Sequence, residues 1–117
     1  MMVVDDEPQM LEMLATYFQT KEFVVVTATT IAEALQLASE TPFQILLLDI
    51  GLAGESGLDL LPLLKQNHAE IRTLILTGLG YDADLMNDAL QKGADGYVTK
   101  GAPLDELLAT VNRTLAA

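Results

Sequence analysis

Five short runs of nearly continuous apolar character punctuate the chain, at residues 1–5, 23–28, 43–49, 71–77 and 96–100. They are rich in β-branched residues and predict strands covered on both faces, as in a parallel sheet. Between them, apolar positions recur with helical period. Leu11, Leu14 and Phe18 form one stripe, Ile31, Ala34, Leu35 and Ala38 a second, and Leu104, Leu107, Leu108, Val111 and Leu115 a third. Local signals agree with these elements. Pro8 suits a first helical position, Thr30 and Glu33 have capping-box spacing, Ser56 is placed to cap the third helix, and Gly93 suits the end of the fourth. Pro62 falls in the second turn of the third helix by this count, which predicts a bend or a late start.

Five strands alternating with five helices predict an open, doubly wound α/β sheet, because parallel strands need right-handed crossovers. The chain has no internal repeat, low-complexity tract or linker-like segment, so residues 1–117 read as a single domain. Composition narrows the chemistry. Hydrophobic residues make up 50% and charged residues 20%, which excludes disorder. No apolar run approaches the ~20 residues of a membrane span, and the first residues lack a basic flank, so the expectation is a cytoplasmic protein. The absence of Cys removes disulfides, thiolate nucleophiles and zinc ribbons, and one His removes multi-His metal sites. Six basic against 17 acidic residues give 6 − 17 = −11, which argues against direct binding to nucleic acid.

Ligands of open α/β sheets bind beyond the carboxyl ends of the strands. Those ends carry Asp5-Asp6-Glu7, Asp49, Thr77-Gly78 and Lys100-Gly101. In a sheet of order 2-1-3-4-5 the first and third strands are neighbours, about 4.8 Å apart, which gathers Asp5, Asp6 and Asp49 into one small volume. Three carboxylates that close repel unless one protonates or a cation enters. An all-oxygen donor set predicts a hard cation, and a few carboxylates with waters suit Mg²⁺. Lys100 and Thr77 could meet an anion beside the metal. With no Cys and no strand-end Ser, Asp49 is the best nucleophile, and an aspartyl phosphate follows.

At these residues the sequence resembles the receiver domain of two-component response regulators. The pattern is Val4-Asp5-Asp6-Glu7-Pro8, Leu46-Leu47-Leu48-Asp49, the segment from Gly54 to Gly57, Leu76-Thr77-Gly78 and Asp95-Gly96-Tyr97-Val98-Thr99-Lys100. Any one motif is weak; five in order, covering essentially the whole chain, are specific. The resemblance implies a flavodoxin-like fold and a phosphoryl group accepted by Asp49 from a sensor histidine kinase or phosphotransfer protein. It implies Mg²⁺ held by Asp6, Asp49 and the backbone carbonyl of Gly51, with Asp5 acting through a water. Lys100 would hold the phosphoryl oxygens, Thr77 would move toward them, and Tyr97 would follow, reshaping the surface of the fourth helix, fifth strand and fifth helix. On this reading the chain is not a turnover enzyme, since it catalyses only its own phosphorylation and dephosphorylation.

The departures from the pattern carry expectations of their own. Gly101 follows the lysine where Pro is usual, and a cis Lys-Gly bond would cost about 2.5 to 4 kcal/mol, so a trans bond is expected. Lys100-Gly101-Ala102-Pro103 is closer to the branch carrying a helix-turn-helix output domain, which would lie outside this chain, and a homodimer through the fourth and fifth helices is a further implication of the family. Ala53 stands where Pro is common, predicting a looser loop. Only residues 1–4 precede the acidic pair, so the first strand reads as truncated. The two positions that tune phosphoryl lifetime are Gly51 and Leu79; neither side chain orients water, which predicts slow self-hydrolysis.

The rival readings are weaker. A phosphohydrolase with an aspartyl nucleophile would want a second Asp where Gly51 stands. A flavin- or nucleotide-binding domain would want a Gly-rich loop where Asp5-Asp6-Glu7-Pro8 stands. The serious alternative is a pseudo-receiver, an interaction module that is not phosphorylated. Among bland readings, one of Asp5 and Asp6 could simply serve a helix start, Tyr97 could be packing alone, and His68 is expected to be an exposed loop residue.

Overall fold

The structure is a computed structural model, and it describes residues 1–52, 54–78 and 82–117. The expectations attached to Ala53 and Leu79 lie outside the described residues. Parallel strands β1 (Met2–Val4), β2 (Val26–Ala28), β3 (Ile45–Asp49), β6 (Arg72–Thr77) and β7 (Gly96–Thr99) form one sheet. A hairpin of β4 (Gly51–Leu52) and β5 (Glu55–Ser56) stands apart from it. The helices are α1 (Pro8–Thr20), α2 (Ile31–Glu40), α3 (Leu60–Lys65), α4 (Ala83–Gln91) and α5 (Leu104–Ala116). The large sheet runs β2-β1-β3-β6-β7, which is the expected 2-1-3-4-5 once its strands are counted in chain order.

Two apolar clusters cover the two faces of this sheet. Val3, Ile45, Leu47, Leu74, Leu76 and Val98 pack against Leu11, Leu14 and Phe18 of α1 and Leu107 and Val111 of α5. The alternate positions Met2, Val4, Leu46, Leu48 and Ile75 pack against Ala34 of α2, Leu61 and Leu64 of α3 and Ala89 of α4. The period of two along each strand thus feeds both layers, which is why the strands read as continuous apolar runs. Phe18 is fully buried and meets Phe23 edge to face at a centroid distance of 5.4 Å.

The strands are shorter than their apolar runs. Residues 23–25 continue the apolar pattern without joining the ladder, because Phe23 N closes the end of α1 on Phe18 O at 3.0 Å and its ring is spent on Phe18. β2 therefore keeps three residues, paired to β1 alone at the sheet edge. β1 also has three, paired on both sides.

The capping expectations divide. Pro8 opens α1, and Thr30 accepts from Glu33 N at 3.1 Å, while Glu33 accepts from Thr29 N rather than from Thr30. Gly93 turns the chain after α4 at φ 112°. Ser56 makes no capping bond; a 3-10 turn at Gly57–Asp59 intervenes and α3 starts late, at Leu60. Pro62 then lies in the first turn, where its missing N–H costs nothing. No peptide bond among the described residues is cis, so Lys100-Gly101 is trans.

Gly57 fixes how the chain leaves β3. Its N–H donates to Ile50 O at 2.6 Å, and a Cβ placed on it would lie 2.0 Å from the backbone oxygen of Asp49. No side chain fits there without moving the strand end. Gly57→Ala is therefore expected to destabilise the fold by about 1–3 kcal/mol, the usual cost of overpacking, as a lowered urea midpoint at unchanged slope. An unchanged midpoint would show that the turn relaxes freely.

Candidate functional site

The site forms where four neighbouring strands end together. β1 delivers Asp5, and Asp5 N donates to Ala28 O at 3.1 Å, carrying the order of the strand one residue past its end. β3 delivers Asp49 on the neighbouring strand, in register with Leu76 of β6, so Thr77 stands one residue further along. β7 delivers Lys100, whose N–H bonds Thr77 O at 2.8 Å.

Lys100 Nζ lies 3.0 Å from Asp49 Oδ2, 3.0 Å from Asp5 Oδ2 and 3.1 Å from Glu7 Oε1. Asp5 is 0% exposed and Asp49 6% exposed, so this ammonium is the principal compensation for two buried charges. Asp5 Oδ1 accepts from Glu7 N at 2.9 Å, a local turn bond of the kind the bland reading proposes. It serves the approach to α1, while its second oxygen faces Lys100. One carboxylate oxygen from each of Asp5, Asp6 and Asp49 lies within 4.8 Å of the others.

The electrostatics follow from burial. The Asp49 carboxyl is raised above its ordinary 3.8, first by desolvation and then by repulsion from Asp5, and the Lys100 bond only partly offsets this. Lys100 is itself raised above its ordinary value: its bonds to Asp49, Asp5 and Glu7 outweigh the cost of its own burial. It therefore stays charged throughout the neutral range.

The donor set fits a hard cation. All three converging groups are carboxylates, and Asp5 Oδ2 is buried and paired with the Lys100 ammonium at 3.0 Å. Three carboxylates sharing one ammonium leave acceptor capacity and negative charge that a hard cation would satisfy. Gly51 follows one residue after the strand, with its N–H 3.4 Å from Asp49 Oδ1.

Of the residues expected from sequence, Asp5, Asp49 and Lys100 are in direct contact and Asp6 completes the acidic group. Thr77 is 2% exposed at the end of β6, beside them in register. Tyr97 stands apart on β7, 39% exposed and paired in register with Ile75. His68 is half-buried in the turn after α3, away from the strand ends that carry the site. Two participants had no role from sequence. Glu7 reaches Lys100, and the signal was its place directly after the acidic pair. Glu55 accepts from Ile31 N at 3.2 Å, and no sequence pattern announced that contact.

Comparison with known proteins agrees with this geometry. The profile of the response regulator receiver domain family matches residues 1–112. The transcriptional regulatory protein KdpE of Mycobacterium tuberculosis is 38% identical over 99% of this chain and 52% of its own length, so the chain spans about half of that relative. Among solved structures, the receiver domain of NtrX from Brucella abortus superposes with a TM-score of 0.91 at 27% identity, covering 99% of this chain and 98% of that one. A Burkholderia pseudomallei response regulator, solved with a phosphorylated aspartic acid, a calcium ion and citrate, gives 0.89 at 30% identity over 98% and 67% of the two chains. A family profile spanning nearly the whole sequence, matched by a whole-domain superposition, places this chain in the family of response regulator receiver domains of two-component systems.

Proposed function

We propose that this chain is a phosphorylation-driven switch in which Asp49 accepts a phosphoryl group from the phosphohistidine of a sensor kinase or phosphotransfer protein. The observation that carries it is the contact of a buried Asp49 with Lys100, beside two further carboxylates. In the transfer, an Asp49 oxygen attacks phosphorus, the P–N bond breaks as the P–O bond forms, and the leaving imidazole takes a proton from water. Burial strips Asp49 of water, and its raised pKa reflects that. Lys100 is positioned to leave one of its carboxylates and hold the incoming phosphoryl oxygens by charge.

Asp6, Asp49 and the Gly51 carbonyl would hold Mg²⁺, with Asp5 acting through a water. The ion supplies charge neutralisation for the phosphoryl oxygens. Thr77 contributes a hydroxyl at the end of β6, and Tyr97 on β7 is the readout residue whose change of position alters the α4-β7-α5 surface. That surface would control an output domain, a helix-turn-helix unit on the likeness of Lys100-Gly101-Ala102-Pro103, or serve a homodimer. The chain acts on no second substrate, so it is a phosphoacceptor rather than a turnover enzyme. Among the described residues no helix is long and apolar enough to cross a membrane, and a cytoplasmic site of action suits a kinase-fed switch.

Intact mass after incubation with a small phosphodonor and Mg²⁺ tests the reading. One added phosphoryl group is expected in the wild type, none without metal and none in Asp49→Asn. No addition even with a cognate kinase would leave a pseudo-receiver in its place.

The raised carboxyl of Asp49 carries a stability prediction. A folded-state pKa above the unfolded value means that ionised Asp49 opposes folding at neutral pH, and that this opposition fades as pH falls through the folded pKa toward 3.8. Without Mg²⁺, Asp49→Asn should therefore raise the thermal midpoint at pH 7. The gain should shrink on acidification; an unchanged or lowered midpoint at pH 7 would refute it.

A third expectation concerns lifetime. With Gly51 lacking a side chain to orient water, purified phosphoprotein in Mg²⁺ should outlast the seconds scale, and a half-life of seconds measured by mass would overturn this.

A further inference from the structure

The hairpin β4-β5 begins two residues after Asp49 and has a tether to the other side of the site. Glu55 Oε2 accepts from Ile31 N at 3.2 Å, and Ile31 is the first residue of α2. That helix start is itself fixed. Thr30 accepts from Glu33 N, and Ala28, three residues before Ile31, accepts from Asp5 N at 3.1 Å. A continuous path therefore runs from Asp5 through Ala28 and the start of α2 to Glu55. It continues across the ladder pairs Leu52↔Glu55 and Gly51↔Ser56, back to the residues that follow Asp49.

Within the hairpin, Gly57 N bonds Ile50 O and Leu52 is buried, so residues 49–52 and 54–57 are held together as a strap. Glu55 is the polar side chain that ties this strap to α2. An acidic side chain at this helix start also faces the positive end of the helix dipole.

From this path we infer that Glu55 is a positioning residue for the metal site: by holding the hairpin to the start of α2, it sets where Gly51 stands relative to Asp5 and Asp6. The inference rests on the proposed Mg²⁺ set and adds to it a residue that contacts no metal ligand directly. Residues that orient metal ligands from behind typically cost 10–100-fold in affinity when removed.

The test is Mg²⁺ titration by calorimetry on the unphosphorylated chain. Glu55→Ala should weaken Mg²⁺ binding by about 10-fold. Glu55→Gln, whose amide oxygen still accepts from Ile31 N, should restore it to within about 3-fold of wild type, under the same ceiling. Thr30→Ala removes the cap from the same helix start. It should lower the thermal midpoint in EDTA while leaving Mg²⁺ affinity near wild type, which separates positioning from simple helix stabilisation. The inference is overturned if Glu55→Ala binds Mg²⁺ as the wild type does, if Glu55→Gln fails to rescue, or if Thr30→Ala weakens the metal equally. A wild type with no Mg²⁺ affinity would overturn the proposed metal set as well. Normal wild-type affinity with an unaffected Glu55→Ala would overturn the positioning role alone.

Discussion

Lys100 carries its ammonium across two strand spacings to reach the acidic group, and the arrangement of the sheet can be understood from that reach. Its strand lies at the edge, with β6 between it and β3. Two spacings of about 4.8 Å are bridged by the lysine, the aspartate that reaches toward it and the 3.0 Å contact between them, which a shorter basic side chain could not complete. Asp5 and Asp49 can be buried side by side because this charge arrives at 3.0 Å from each. Removing it would leave two carboxylates in an apolar setting, a far larger penalty than a surface ion pair ever returns. The order of the strands, the length of the side chain and the burial of the acids form a single requirement.

That requirement leaves the site deliberately out of balance. Asp5, Asp6, Glu7 and Asp49 against one lysine give −4 + 1 = −3. A fold optimised for stability alone would have neutralised or replaced some of these groups. The raised Asp49 carboxyl records the residual cost locally, and strain of this sort collects at sites whose groups must later exchange partners.

The sheet was legible because its strands are central and apolar on both faces, so composition and period agree from Ile45 to Asp49 and from Arg72 to Thr77. Legibility fell where tertiary contacts compete with the ladder: Phe23 reads as strand and is used to close α1. It fell again after Asp49, where a hairpin of two-residue strands has too few positions to show a period. Asp5, Asp49 and Lys100 were readable since each ends an apolar run, and the topology alone brings the ends together. Glu55 was not, because its partner is a backbone amide 24 residues earlier and a backbone amide leaves no mark in the sequence.

The brevity of β2 reaches beyond the monomer. Its outer edge offers a ladder of three residues, Val26, Thr27 and the buried Ala28, where an incoming strand would need about five or six to build a typical ladder. A sheet edge cut this short is a poor template for growth. Crowding many copies of such a domain around a shared partner therefore carries little risk, on this side, of fusing their sheets into one.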